Sequence, residues 1–157
     1  MKYFLFALLF TLATSTRAAE IGSQTAAAIS IFTLSGIKTE VVKNTRMTQA
    51  QKNCIGKISN QALMDTYLPL VRKQLDPNKL TRFDDFFSSA LGKRYLKAFS
   101  LSPSTAGYGA ESFTQDEISI VRKTMDDPSF MTFARNTNVQ NPGAPRDKIL
   151  SLLSACN

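Results

Sequence analysis

The chain of 157 residues has no histidine, no tryptophan and only two cysteines. The lack of histidine excludes a Ser-His-Asp triad, a Cys-His dyad, histidine zinc ligands and a histidine pH switch. Two cysteines cannot form a four-cysteine metal site. The glycine-rich dinucleotide fingerprint, the phosphate-binding P-loop and the EF-hand loop are also missing from the sequence. These absences predict a protein that has no catalytic residues, no metal and no cofactor.

The first residues have the pattern of a secretory signal peptide. Lys2 precedes an apolar run over residues 3–12, and a small, polar segment follows over residues 13–19. Ten apolar residues are too few to cross about 30 Å of hydrocarbon as a helix, so an uncleaved membrane anchor is the weaker alternative. Cleavage after Ala18 predicts a signal peptide over residues 1–18 and one exported domain over residues 19–157. We expect no transmembrane segment after cleavage.

An exported protein can keep a disulfide between its two cysteines, because disulfides persist in oxidising compartments. Cys54 and Cys156 are the only candidates, so an intramolecular bond has one connectivity. Such a bond would tie the C-terminus to the first third of the domain. Free or intermolecular thiols are the alternative.

Hydrophobic spacing predicts an all-α fold, a single compact bundle of six to eight helices. The residues that predict helix starts are Ser23, Thr48, Asp76, Ser89, Thr114 and Asp127. Leu80, Phe83 and Phe87 show the helical stripe expected of core residues. The helix that begins near Ser23 is predicted to stop at Gly36 as its C-cap.

A shift of 38 residues aligns residues 75–96 with residues 113–134 without a gap. Leu80 then matches Ile118, and Phe83 matches Val121. The alignment predicts two copies of a helical hairpin that share a core, since one hairpin cannot bury its apolar stripe alone. The alternative is that any two amphipathic helix pairs would align in this way.

The segment from Phe86 to Lys93, FFSSALGK, resembles the F-Y-x-S-P-x-G-[QK] signature of a family of exported helical bacterial domains of unknown function. The resemblance covers residues 60–100, and more loosely extends to residue 135. Phe87 replaces the tyrosine of that signature, and Ala90 replaces its proline. The resemblance implies an all-α fold in the Gram-negative periplasm and implies no activity.

Two sets of polar residues are candidate catalytic groups. Adjacent carboxylates, Asp84-Asp85 and Asp126-Asp127, point about 100° apart on a helix and cannot converge on one atom. Asp127 is interpreted as a helix cap, and Asp84 and Asp85 as a solvated face. Ser35 and Lys38 match the S-x-x-K nucleophile motif but lack its partner motifs. A hydrolase is therefore the least favoured function.

Charge is distributed unevenly along the chain. Residues 38–97 hold 12 basic and 5 acidic side chains, whereas residues 98–157 hold 5 and 6. The candidate partner-binding residues are Lys93, Arg94, Lys97 and Tyr108, the last between two glycines of a long loop. Nucleic acid is not expected, because the chain is exported and has no binding motif for it. Anionic envelope components or an acidic protein fit better, with a merely solvated surface as the alternative.

Together these observations predict a non-enzymatic periplasmic protein that acts by binding another protein. An inhibitor, or an immunity protein against an envelope-targeted toxin, has the required small size, export signal, basic charge and disulfide. The second hypothesis is a carrier of a lipid or another small apolar ligand between the helices.

Overall fold

A computed structural model of the chain describes residues 21–105, 107 and 112–157. The signal peptide expected over residues 1–18 and the loop residue Tyr108 lie outside these described residues. Eight α-helices are present in the described part: α1 Ser23–Lys43, α2 Gln49–Gly56, α3 Gln61–Gln74, α4 Pro77–Ser88, α5 Ala90–Leu101, α6 Gln115–Met125, α7 Pro128–Asn136 and α8 Ala144–Ser154. A single 3-10 turn spans Pro103–Thr105, and no strand occurs among the described residues. The predicted all-α fold is confirmed.

Five of the six predicted helix caps are confirmed. Thr48, Asp76, Ser89, Thr114 and Asp127 each accept a hydrogen bond from a backbone amide two or three residues further on. Two of them belong to complete capping boxes, in which a glutamine or glutamate side-chain oxygen accepts a hydrogen bond from the cap's own amide. Each cap satisfies amides that have no partner within their own helix.

The predicted boundaries of α1 are wrong at both ends. Ser23 lies inside the helix, which follows Gly22 and has no side-chain cap of its own. The helix also continues through Gly36 to Lys43. A mid-helix glycine costs about 1 kcal/mol relative to alanine. The packing of α1 against α3, α4 and α5 outweighs that local cost.

By length and composition alone, α1 is also apolar enough to cross a membrane. In the bundle it is the central helix, and the buried side chains that it supplies to the core include Ala26, Ala28, Ile29 and Leu34. The core helix of a bundle passes the same test of length and composition as a membrane span.

The core lies between α1, α3 and α4. Its other buried side chains include Leu63, Tyr67 and Val71 of α3, Leu80, Phe83 and Phe87 of α4, and Phe130 and Phe133 of α7. The three residues of the predicted α4 stripe are therefore all buried. The ring of Phe32 meets those of Phe87, Tyr95 and Phe99 edge-on, with centroids 6.0, 6.2 and 4.7 Å away. Such aromatic pairs add to the free energy of packing beyond their buried area.

The 38-residue repeat is visible in the helix starts. α4 begins at Pro77 and α6 at Gln115, and α5 begins at Ala90 and α7 at Pro128. The two hairpins differ at their bends, because one residue lies between α4 and α5 and two lie between α6 and α7. At the tighter bend, a Cβ on Gly92 would stand 2.0 Å from the carbonyl oxygen of Phe86, so only glycine fits.

The residue that aligns with Gly92 in the second hairpin is Phe130. Its ring packs against Phe83 at 5.3 Å and against Phe87 at 6.0 Å between centroids. Lys79 of α4 also donates to Ser129 Oγ at 2.6 Å and pairs with Asp127 Oδ1 at 3.3 Å. The second hairpin is thus joined to the first through its own bend.

The predicted disulfide is present. Cys54 in α2 and Cys156 after α8 are bonded, with an S–S distance of 2.04 Å and a Cα–Cα distance of 5.6 Å. Beside the bond, Gln51 Nε2 donates to Asn157 Oδ1 at 3.3 Å. The bond joins residues that are 102 positions apart and attaches the C-terminal helix to α2.

Candidate functional site

A basic surface lies between α1 and α5. Two adjoining hollows of about 270 and 300 Å³ share Asn60 and Ser100 in their walls. Lys38 lines the first hollow, and Lys93 and Lys97 line the second. We call this surface, formed by Lys38, Asn60, Lys93, Lys97 and Ser100, the lysine groove.

The lysines reach the groove from two helices. On α5, Lys93 and Lys97 are four residues apart and therefore share one helix face. Lys38 crosses from α1 and donates its ammonium to the carbonyl oxygen of Ile58 at 2.7 Å. Three positive charges in one concave surface raise the local concentration of an anionic group.

Large apolar side chains stand beside these lysines. Val42, which lines the first hollow, is 71% exposed, and Leu101, which follows Ser100, is 68% exposed. In protein–protein interfaces, apolar side chains form the buried centre and charged ones form the rim, and these two side chains beside the lysines fit that arrangement.

Arg94 lies apart from its neighbours Lys93 and Lys97. Its guanidinium pairs with Glu117 Oε1 at 2.5 Å and lies 4.9 Å from the centroid of the Phe113 ring. The hydrogen bonds from Arg94 and from the Thr114 amide lower the pKa of Glu117. The structure therefore brings Lys93 and Lys97 together with Lys38, while Arg94 holds the start of α6 against α5.

Asp84 lies at the other end of α1, and its interpretation as part of a solvated face is wrong. Its carboxylate accepts hydrogen bonds from the amides of Gly22 and Thr25, and from Thr25 Oγ1 at 2.6 Å. Thr25 is fully buried. Asp84 thus caps α1 from a different helix, which explains how α1 begins without a cap of its own. Asp85 is exposed, as expected.

Ser35 and Lys38 of the S-x-x-K pattern lie on continuous helix. Ser35 is buried, its carbonyl accepts from Thr39 Oγ1 at 2.9 Å, and the Lys38 ammonium is bonded to Ile58. Gly36, between them, is not the predicted C-cap. Among the described residues, no group of three or more histidine, cysteine, aspartate or glutamate side chains could hold a metal ion.

A second cavity lies on the opposite side of α1. It is a half-open groove of about 490 Å³ between α1, α7 and residues 137–140. The side chains that make it apolar are Ile29, Phe32, Ile37, Val41, Phe130, Ala134 and Val139. We call it the apolar groove. It shares no lining residue with the lysine groove.

The apolar groove has a hydroxyl pair and a glycine in its wall. Tyr67 Oη and Thr33 Oγ1 are 3.0 Å apart, and either can be the donor. Burial raises the pKa of Tyr67, although the bond with Thr33 lowers it in part. Gly36 also lines the groove, and a Cβ built on it would meet no atom within 4 Å.

The sequence singles out Lys93 and Lys97, which lie in the lysine groove, but gives no indication of Lys38, Asn60 or Ser100 beside them, nor of the apolar groove. The spacing of Lys93, Lys97 and the exposed Leu101 was the available signal for the lysine groove. The apolar groove joins residues about 100 positions apart, which no local pattern reveals. No family model, curated protein or solved structure shows significant similarity to this chain.

Proposed function

We propose that the chain is an exported, non-enzymatic protein that binds an acidic protein partner in the periplasm through the lysine groove. The observation that carries the proposal is the placement of three lysines beside two apolar side chains that are each about 70% exposed. Opposite charge steers encounter, and desolvated apolar contacts supply affinity. An inhibitor or an immunity protein against an envelope-targeted toxin would act in this way.

The disulfide and the signal-like N-terminal sequence support the proposed location. The Cys54–Cys156 bond indicates an oxidising compartment. Residues 1–18 have the composition of an export signal. The resemblance of residues 60–100 to exported bacterial domains points to the periplasm among such compartments.

Site-specific photo-crosslinking in the producing cell tests the proposal. A photoreactive amino acid at Leu101 is expected to give one discrete adduct with an acidic protein. The same amino acid at Leu150, which is 53% exposed on α8, is the matched control and should give none. Mass spectrometry identifies the adduct, and its yield should fall at high salt because charge steers the encounter.

Charge reversal assigns the adduct to the groove. The double variant Lys93→Glu/Lys97→Glu should abolish it. Arg122→Glu/Lys123→Glu, an equal charge change on exposed residues of α6, should leave it in place. Equal adducts at positions 101 and 150, or an adduct insensitive to Lys93→Glu/Lys97→Glu, would refute the proposal.

A further inference from the structure

The apolar groove has the dimensions of a small-molecule site. Its volume of about 490 Å³ falls within the range of roughly 300–1,000 Å³ that is usual for ligand pockets. Most of its wall is aliphatic or aromatic, and a few polar groups lie among these side chains. Ligand pockets in proteins combine an apolar wall with a few polar groups in this way.

The hydroxyl pair in the wall leaves one hydrogen to spare. Tyr67 is 1% exposed, and its hydroxyl and that of Thr33 carry two hydrogens but share one hydrogen bond. Within the described part of the chain, neither hydroxyl has another partner. The pair therefore has one O–H that can donate to an oxygen atom of a molecule bound in the groove.

Gly36 keeps space open in the groove. Glycine is a poor residue for the interior of a helix, yet no neighbouring atom requires it there, since an added Cβ would meet nothing within 4 Å. A larger side chain at this position would instead take up volume in the groove, because Gly36 is part of its wall. The glycine is therefore explained by the cavity and not by packing.

The charge of the wall selects among ligands. Glu40 is the one charged side chain among the lining residues that the structure describes. Glu40 is itself exposed and pairs with Lys43 at 3.1 Å. A carboxylate or phosphate ligand would find no cation among these lining residues, and its charge would lose water against an apolar wall.

We propose that the apolar groove binds a small neutral amphiphile, an apolar chain that carries an ester or amide carbonyl, with that carbonyl accepting a hydrogen bond from the Tyr67–Thr33 pair. The site lies on the opposite side of α1 from the lysine groove, so it is independent of the proposed partner protein.

Calorimetric titration with monodecanoylglycerol, below its micelle concentration, tests the proposal. The wild-type protein is expected to bind this ester in a one-to-one complex. Decanoate has the same chain but an anionic head, and it should bind about tenfold or more weakly because the apolar wall offers its charge no cation. Equal binding of decanoate would overturn the assignment of a neutral ligand. A groove that holds only solvent would give no binding heat for either compound, which would overturn the site itself.

The variant Gly36→Leu separates binding from folding. It should weaken monodecanoylglycerol binding by about tenfold or more, because the leucine occupies the groove. Its melting temperature should not fall, since leucine is the better helix former. Gly56→Leu, at an equally open glycine outside the groove, is the matched control and should bind as the wild type does. Unchanged binding by Gly36→Leu would refute the site.

The double variant Thr33→Val/Tyr67→Phe tests the hydroxyl pair. Removing both partners with residues of similar shape leaves no unpaired group, so the fold should tolerate it. Loss of the hydrogen bond to the ester should lower the affinity for monodecanoylglycerol by about fivefold to tenfold. An unchanged affinity would show that the carbonyl does not meet the pair and would overturn that part of the proposal.

Discussion

Two carboxylates of the second hairpin, Glu117 near its start and Asp127 at its bend, show how single side chains link stability to pH. Partial burial alone would raise the pKa of Asp127, but hydrogen bonds from the Ser129 amide and the Lys79 ammonium outweigh it, so the pKa lies below the ordinary value of 3.8. The pKa of Glu117 lies below its ordinary value of 4.5 because of Arg94 and the Thr114 amide. Both groups bind fewer protons in the folded state than in the unfolded state.

The pH dependence follows from the sign of these shifts. A group whose pKa is lowered by folding contributes stability above its unfolded pKa, and the contribution is lost as the pH falls through the folded pKa. The free energy of unfolding should therefore decrease from about pH 5 downward. Urea denaturation at several pH values measures this decrease.

Comparing the variant Asp127→Asn with the wild type measures what the charge of this one carboxylate contributes. At pH 7 the variant should lower the free energy of unfolding by about 0.5–1.5 kcal/mol, because the neutral amide can still cap α7 but has no charge to pair with Lys79. The gap to the wild type should narrow as the pH falls below the ordinary pKa of Asp127, because the stabilisation from its lowered pKa is lost in that range. Asp126→Asn, at the exposed neighbour, is the control. A gap of the same size above and below the ordinary pKa of Asp127 would contradict the linkage.

At the scale of helices, Asp84 makes the start of α1 depend on α4. Asp84→Ala removes the acceptor for two amides and for the fully buried Thr25 hydroxyl. We expect it to lower the free energy of unfolding by roughly 2–3 kcal/mol, from the lost cap and the buried donors left unpaired. Asp85→Ala changes an exposed carboxylate of the same helix and should cost less than about 0.5 kcal/mol. Equal losses in the two variants would show that Asp84 has no special role.

The two helical hairpins differ in how closely their helices approach each other. Gly92 permits the close approach of α5 to α4. The longer connection between α6 and α7 relaxes that restriction, and Phe130 at the aligned position packs on the first hairpin instead. One structural unit thus has two versions, one that closes tightly and one that docks on its neighbour.

Features that depend on residues close in the sequence could be predicted, and features that depend on distant residues could not. Thr114 and Asp127 could be recognised as caps because a cap acts on amides two or three residues away. Leu80 and Phe83 could be recognised as core because their spacing is that of a helix. The prediction that α1 ends at Gly36 is wrong, since the packing that keeps α1 helical there comes from residues far along the chain.

The candidate sites were less accessible to prediction than the fold. Lys93 and Lys97 share one helix face and could be singled out together. Lys38 lines the same groove but comes from another helix. In the apolar groove, Gly36 and Ala134 line one wall although they are far apart in the sequence. Such neighbours are set by how the helices pack, and a single sequence holds no local trace of that arrangement.

For the whole molecule, the disulfide is the dominant covalent constraint. Replacing both cysteines, Cys54→Ser/Cys156→Ser, should lower the free energy of unfolding by about 2–4 kcal/mol, because the unfolded chain regains the freedom that the closed loop removes. Chemical denaturation with and without reductant measures the effect.

The cysteine variant supplies its own control. Reductant should shift the denaturation midpoint of the wild type toward that of Cys54→Ser/Cys156→Ser and leave the variant unchanged. The oxidised wild type should also migrate faster than the reduced protein on a denaturing gel. A midpoint that does not respond to reductant in either protein would contradict the predicted stabilisation.

The bond between Cys54 and Cys156 also constrains the order in which the chain can cross a pore and form its disulfide. It turns most of the domain into a covalent ring, since the two cysteines stand 102 positions apart. A ring cannot be drawn out into one strand, even when it is fully unfolded, and would enter a narrow pore only as two strands side by side. Any passage through a pore that admits a single extended strand must therefore be complete before the ring closes.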